Sequence, residues 1–204
     1  MSKRVKTLLV ALVVTLGLSL SGCAKMSSAA IVGDVEIPLS TIQNSVENIL
    51  AERAQVDTSN MDLPMEDYLQ RSQAQFHISV ALLNNLADEF GVEVTSSEIA
   101  NERKFIIEQL GGEEQLVPAL VGATIAASDL DIYISASTIY DKIGEILLSQ
   151  GIARSEIAEA QQSLLVKKAN ELKVVVNPRY GIWDAATATI KPNSASNDAV
   201  RPNQ

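Results

Sequence analysis

Two short stretches read as strands, and most of the chain between them carries helical periodicity. At one end, "AAIVGDVEIP" (29–38) sets Ile31, Val32, Val35 and Ile37 around Gly33-Asp34, the composition of a tight hairpin turn, and Pro38 stops the run. At the other end, "VVVN" (174–177) places three consecutive β-branched residues directly after a helical pattern. An isolated hairpin is marginal in water. The simplest packing therefore pairs the closing strand with the opening hairpin and lays the two ends of the domain side by side. The expected fold is mainly α: five to six helices with a small antiparallel sheet formed by an N-terminal hairpin and a C-terminal strand.

The helices are read from apolar spacing and from their caps. Ser40 and Gln43 fit a capping box opening a helix that carries Ile42, Val46, Ile49 and Leu50 on one face. The polar, turn-rich stretch 55–64 is a loop. Residues 65–90 form a long helix striped by Leu69, Phe76, Leu83, Leu86 and Phe90 and closed by Gly91. Thr95 and Glu98 make a second capping box, with Val94 and Ile99 placed as a hydrophobic staple; Ile99, Ile106 and Leu110 follow, and Gly111-Gly112 ends that helix. Residues 113–121 read as a brief helix, weakened at Pro118 and broken by Gly122. A helix from near 128 to about 150 carries Leu130, Tyr133, Ile134, Tyr140, Ile143 and Leu147. The last helix starts at Ser155 and carries Ile157, Leu164, Leu165 and Leu172.

Ahead of the domain, Lys3, Arg4 and Lys6 precede an uncharged apolar run, 7–20, too short for a comfortable membrane span. Small residues and the chain's one cysteine follow. Leu20-Ser21-Gly22-Cys23 resembles the lipobox of bacterial lipoproteins. That resemblance implies a signal peptide at 1–22, diacylglyceryl attachment to the Cys23 sulfur, and a lipidated N-terminus and linker at 23–28. The expected location is the extracytoplasmic face of the cell membrane, held by the Cys23 lipid. The domain proper is expected at 29–184, and the Ala, Thr, Asn, Ser and Pro content of 185–204 predicts a disordered tail.

The full chain has a net charge of −9; without Lys3, Arg4 and Lys6, and with no acid lost, the part from Cys23 onward carries −12. Such a polyanion repels phosphate backbones and has no basic stripe, which excludes nucleic acid as a partner. No catalytic residue, metal site or cofactor is expected. His77 is the only histidine and has no second His or Cys to share a zinc ion, so it reads as a packed helix residue. "DTSNMD" (57–62) lacks the glycine and distal glutamate of a calcium loop and reads as a solvated turn. Glu113-Glu114 and Asp129/Asp131 suit helix N-termini, where the macrodipole favours negative charge, better than acid–base pairs. "NPRYGIWD" (177–184) offers either a recognition element or a turn in which Tyr180 and Trp183 cover the small sheet; aromatic pairs favour the second.

The order and spacing of "AAIVGDVEIPLSTIQNSVENIL", of "VEVTSSEIANERKFIIEQLGGEEQLVPALVGATIAASDLDIYI" and of "VVVNPRYGIWD" resemble the N-terminal domain of the SurA/PrsA chaperone family. Full members of that family insert a parvulin prolyl-isomerase domain between the helical segments. Here 133–150 leads almost directly into 155–173, leaving no room for one. The resemblance therefore implies a lipid-anchored holdase without isomerase activity, whose partners are unfolded or partly folded exported polypeptides. A helical body with a tiny sheet leaves space for an apolar client-binding groove, with Phe105, Leu116, Leu120, Ile125, Tyr133 and Tyr140 as its candidate lining. The alternative is a non-catalytic adaptor or structural envelope lipoprotein that binds one folded partner. A divergent isomerase is a weaker third reading, opposed by the missing insertion and the single histidine.

Overall fold

The computed structural model describes residues 27–193. Cys23 and the segment read as a signal peptide lie outside the described residues. The opening hairpin forms as expected: β1 (Ser28–Val32) and β2 (Val35–Pro38) pair antiparallel with Val32 opposite Val35. Gly33 takes φ +60° at the first turn position. Its N–H donates to the Leu172 carbonyl at 2.9 Å, and a Cβ there would lie 2.9 Å from Leu172 Cδ2. The left-handed angle favours glycine, and the N–H bond ties the turn to the residue that follows the last helix.

Six α-helices follow among the described residues: α1 (Leu39–Arg53), α2 (Glu66–Phe90), α3 (Ser96–Leu110), α4 (Leu116–Ala123), α5 (Leu130–Ser149) and α6 (Ile157–Glu171). The chain then returns as β3 (Val175–Val176), which pairs antiparallel with β1 through Ala30–Val176 and Ile31–Val175. The sheet order is β2-β1-β3, so the first strand is enclosed by its hairpin partner and by the closing strand. Asn177 extends the join: its N–H donates to the Ala29 carbonyl at 2.9 Å and its side-chain amide to the Ser28 carbonyl at 3.0 Å. The mainly α fold with a small end-to-end sheet is the architecture observed.

Three local readings are corrected. No side chain caps α1; Pro38, extended at φ −63°, precedes it, and the Leu39 N–H is satisfied by the Ser27 carbonyl at 3.1 Å, leaving Ser40 and Gln43 without a capping task. Gly122 does not break α4, which runs on to Ala123 and ends at Thr124 in the left-handed conformation, φ +59°. Order does not stop at 184: β4 (Ile182–Asp184) and β5 (Thr189–Lys191) form a second hairpin, and residues 194–204 lie outside the described residues. This hairpin is held by Ala188 and Ile190, which are buried in the main core, and by side-chain amides of helices. Gln75 of α2 accepts from the Ile190 N–H at 2.9 Å and donates to the Ala188 carbonyl at 3.1 Å, taking the place of a neighbouring strand. Gln162 and Asn170 of α6 donate to the Thr187 and Ala185 carbonyls.

The core has a main cluster where the first sheet packs on α2, and Tyr180 and Ile190 belong to it, with Trp183 packed alongside. "NPRYGIWD" therefore covers the sheet, in line with its structural reading. Gly181 at φ +132° is obligatory, because a Cβ there would lie 2.2 Å from the Lys191 carbonyl oxygen. A second cluster joins the C-terminal part of α2 to α5 and α6, and a third joins α4 to the start of α5 beneath α3. The α3 N-terminus carries the expected capping box: Thr95 Oγ1 accepts from the Glu98 N–H, and the Glu98 carboxylate accepts from the Thr95 N–H at 2.8 Å.

Candidate functional site

An open cleft of about 600 Å³ lies where the loop before α2, the first turns of α2, the end of α4 and the start of α5 converge. Its apolar and aromatic wall residues are Leu63 and Pro64 from the loop, Tyr68 and Phe76 from α2, Ile125 after α4, and Tyr133 from α5, interspersed with the polar Asp62, Ser72, Gln73 and Thr124. Tyr68 and Tyr133 are exposed, while Phe76 is half-buried. Tyr68 is backed by the Arg71 guanidinium, 5.7 Å from its ring centroid. The cleft's shape depends on Gln73, a buried polar residue of α2 whose amide donates to the Thr124 carbonyl at 3.0 Å. That bond pins the left-handed end of α4 against α2. The Ile125 N–H then closes back on the Leu120 carbonyl at 3.0 Å, so the chain turns and Ile125 enters the cleft. Flat aromatic faces with hydroxyl tips at the rim suit apolar and aromatic side chains of an extended polypeptide.

Of the six residues proposed as groove lining, Ile125 and Tyr133 stand in the cleft and the other four do not. Leu116 and Leu120 are core residues packed with Leu130 and Ile134; one helical turn apart, they share the face of α4 that meets α5. Tyr140 packs into the second cluster, beside α6, and its carbonyl accepts from Gln161. Phe105 is 52% exposed on α3 but forms no part of the cleft wall. Tyr68, Phe76 and Leu63 were missed. The available signal was an aromatic next to the apolar stripe of α2, placed just after a turn-rich loop.

A second constellation joins residues far apart in sequence. Ser45 of α1, His77 of α2 and Asp129, in the 3-10 turn before α5, are all buried. The Ser45 hydroxyl donates to Asp129 Oδ2 at 2.6 Å and lies 2.9 Å from His77 Nε2. These are the residue types of a nucleophilic triad in the wrong order. The shortest bond directs the serine's one proton to the carboxylate, and with it there His77 Nε2 donates to the serine oxygen, the reverse of a base that takes the serine's proton. His77 Nε2 is 3.9 Å from Asp129 Oδ2, without the imidazole–carboxylate bond that would orient a catalytic ring. Burial pushes the His77 imidazole below its ordinary range, against the pull of the Asp129 charge. The arrangement is a polar tie between three helical segments, and Phe76 meets the His77 ring edge-on at 4.9 Å. Asp129 thus sits ahead of a helix as expected, with this additional task, and the exposed Asp131 pairs with Arg103 of α3 at 2.7 Å.

The loop 57–62 is held by its own polar groups: Asp57 accepts from the Ser59 N–H and hydroxyl. Among the described residues, no three His, Asp or Glu side chains converge as a bound metal ion needs. No protein-family model, curated protein or solved structure matches this chain.

Proposed function

We propose that this chain is a lipid-anchored, extracytoplasmic holdase that binds non-native exported polypeptides and performs no covalent chemistry. The observation that carries the reading is the open aromatic cleft between Tyr68, Phe76, Ile125 and Tyr133. Apolar contact is non-directional, so such a surface accepts many sequences. A cleft of this size takes a few side chains at a time, which gives weak, reversible binding. The Cys23 lipid would supply the missing strength by concentrating the cleft where exported chains emerge. The likeness of the opening, middle and closing stretches to the SurA/PrsA N-terminal domain agrees with this role.

The test is suppression of light scattering by an aggregating, reduced client protein. The intact chain should suppress it at near-stoichiometric ratios, and Tyr68→Ala with Tyr133→Ala should weaken suppression about tenfold, the size expected for loss of two partly buried aromatic contacts. Isomerisation of an X-Pro peptide by the purified chain, or unchanged suppression by the double variant, overturns the reading. Crosslinking through a photoreactive group at position 133 should label many unrelated chains. One stoichiometric folded partner would instead favour an adaptor.

A further inference from the structure

We infer that the loop 55–65 is a lid over the aromatic cleft, held closed under strain and hinged at Glu66. Asp62, Leu63 and Pro64 form one side of the cleft, so the loop's position sets how much of Tyr68 and Phe76 a ligand can reach. Among the described residues, the hydrogen bond tying 62–64 to the body is that from Arg53 Nη1 to the Pro64 carbonyl, at 2.7 Å. This latch is stressed at both ends. The other edge of the same guanidinium, Nε and Nη2, is buried with no partner. Unsatisfied buried donors of a charged group are costly, and opening the loop would let water reach them. At the far end, Glu66 enters α2 with φ +45°, a left-handed angle that a residue with an unbranched side chain adopts only at a cost. Two independent sources of stress therefore act on one segment, each relieved by the same movement. In the buried, polar-tied body beneath it, the Gln73 amide donates to the Thr124 carbonyl and the Ser45 hydroxyl to Asp129.

The lid's role in client entry rests on the cleft being the binding site; its strained closure does not. The experiment compares backbone hydrogen exchange of 55–66 in the intact chain with Glu66→Asn and Glu66→Val. Asparagine tolerates the left-handed region and a β-branched side chain does not. Exchange of the loop should slow a few-fold in Glu66→Asn and quicken about tenfold in Glu66→Val, with α5 amides unchanged. A substitution that merely loosens the helix start would quicken exchange in both. That result, or no change in either, overturns the lid. Association of a fluorescent reduced client should follow the same order, slowest for Glu66→Asn. If exchange follows the order and association does not, the strained lid stands and the cleft loses its assignment as the binding site.

Discussion

The two flanks of the molecule are built on opposite terms. At the sheet, Ala29, Ala30 and Val32 of the enclosed strand are almost without exposure, and Ile78 of α2 beneath them has none. Every strand there is tied by backbone ladders or by helix side-chain amides. On the other flank, α3 has no buried residue at all. Ile99, Ile106, Ile107 and Leu110 are only half-covered, and the helix is fastened by ion pairs: Arg103 to Asp131, and Lys142 of α5 to Glu98 and the Glu93 carbonyl. Exposed ion pairs contribute little and are screened by salt. The difference separates tasks. Stability is concentrated where the ends join, and α3 and the rim of the cleft retain apolar surface with less constraint.

The largest expected effect tests that division directly. Ile78→Ala removes a fully buried side chain between sheet and helix and should cost about 2–5 kcal/mol in a urea melt. Ile106→Ala on α3 should cost less than half as much, and equal costs would erase the contrast. Next in size is Gly181→Ala, which forces a Cβ into the Lys191 carbonyl at a left-handed φ. It should lower stability by about 1–3 kcal/mol and strip exchange protection from β4 and β5 while α3 is unchanged.

The smallest effect is a pair of acid windows. The His77 pKa is depressed by burial from its ordinary 6.5, so the unfolded chain binds the proton first. The corresponding stability is present above pH 6.5 and declines as the pH falls below it. Glu98 is held at about 2, against 4.5 ordinarily, chiefly by its hydrogen bond from Lys142 and then by the Thr95 N–H. Its contribution is present above pH 4.5 and is lost as the pH falls toward about 2. Melting temperature should therefore respond to the first window, with the response absent in His77→Gln. Exchange of α3 should respond to the second. A single transition shared by both probes would merge the two flanks into one unit.

What the sequence made legible follows the strength of local signals. Three β-branched residues at 174–176, a Gly-Asp turn and the Thr95–Glu98 box each have one dominant conformational outcome, and each is found as read. The β4–β5 hairpin was hard to read because the alternation in "AATATIK" is carried mostly by alanine, a weak strand former; its order comes from burial of Ala188 and Ile190 in the main cluster and from Gln75, Gln162 and Asn170, whose aim is a tertiary property. The groove was half legible for a similar reason. Leu116, Ile125 and Tyr133 all offer apolar surface on paper, and tertiary placement decides which enters the cleft: Leu116 packs between α4 and α5, while the Gln73–Thr124 bond fixes the turn that carries Ile125. The polar tie of Ser45, His77 and Asp129 joins residues with no shared motif, so only the packing of three segments reveals it.

The enclosure of β1 also carries a consequence for biogenesis. Its second neighbour is Val175–Val176, which a ribosome makes only after all six helices. Until those residues emerge, the first strand has one open edge, and the joining contact links Ala30 to Val176 across most of the described residues, a topology that slows folding. A nascent or truncated copy ending before Val174 would display that bare edge and would itself need the protection against aggregation proposed here for its clients.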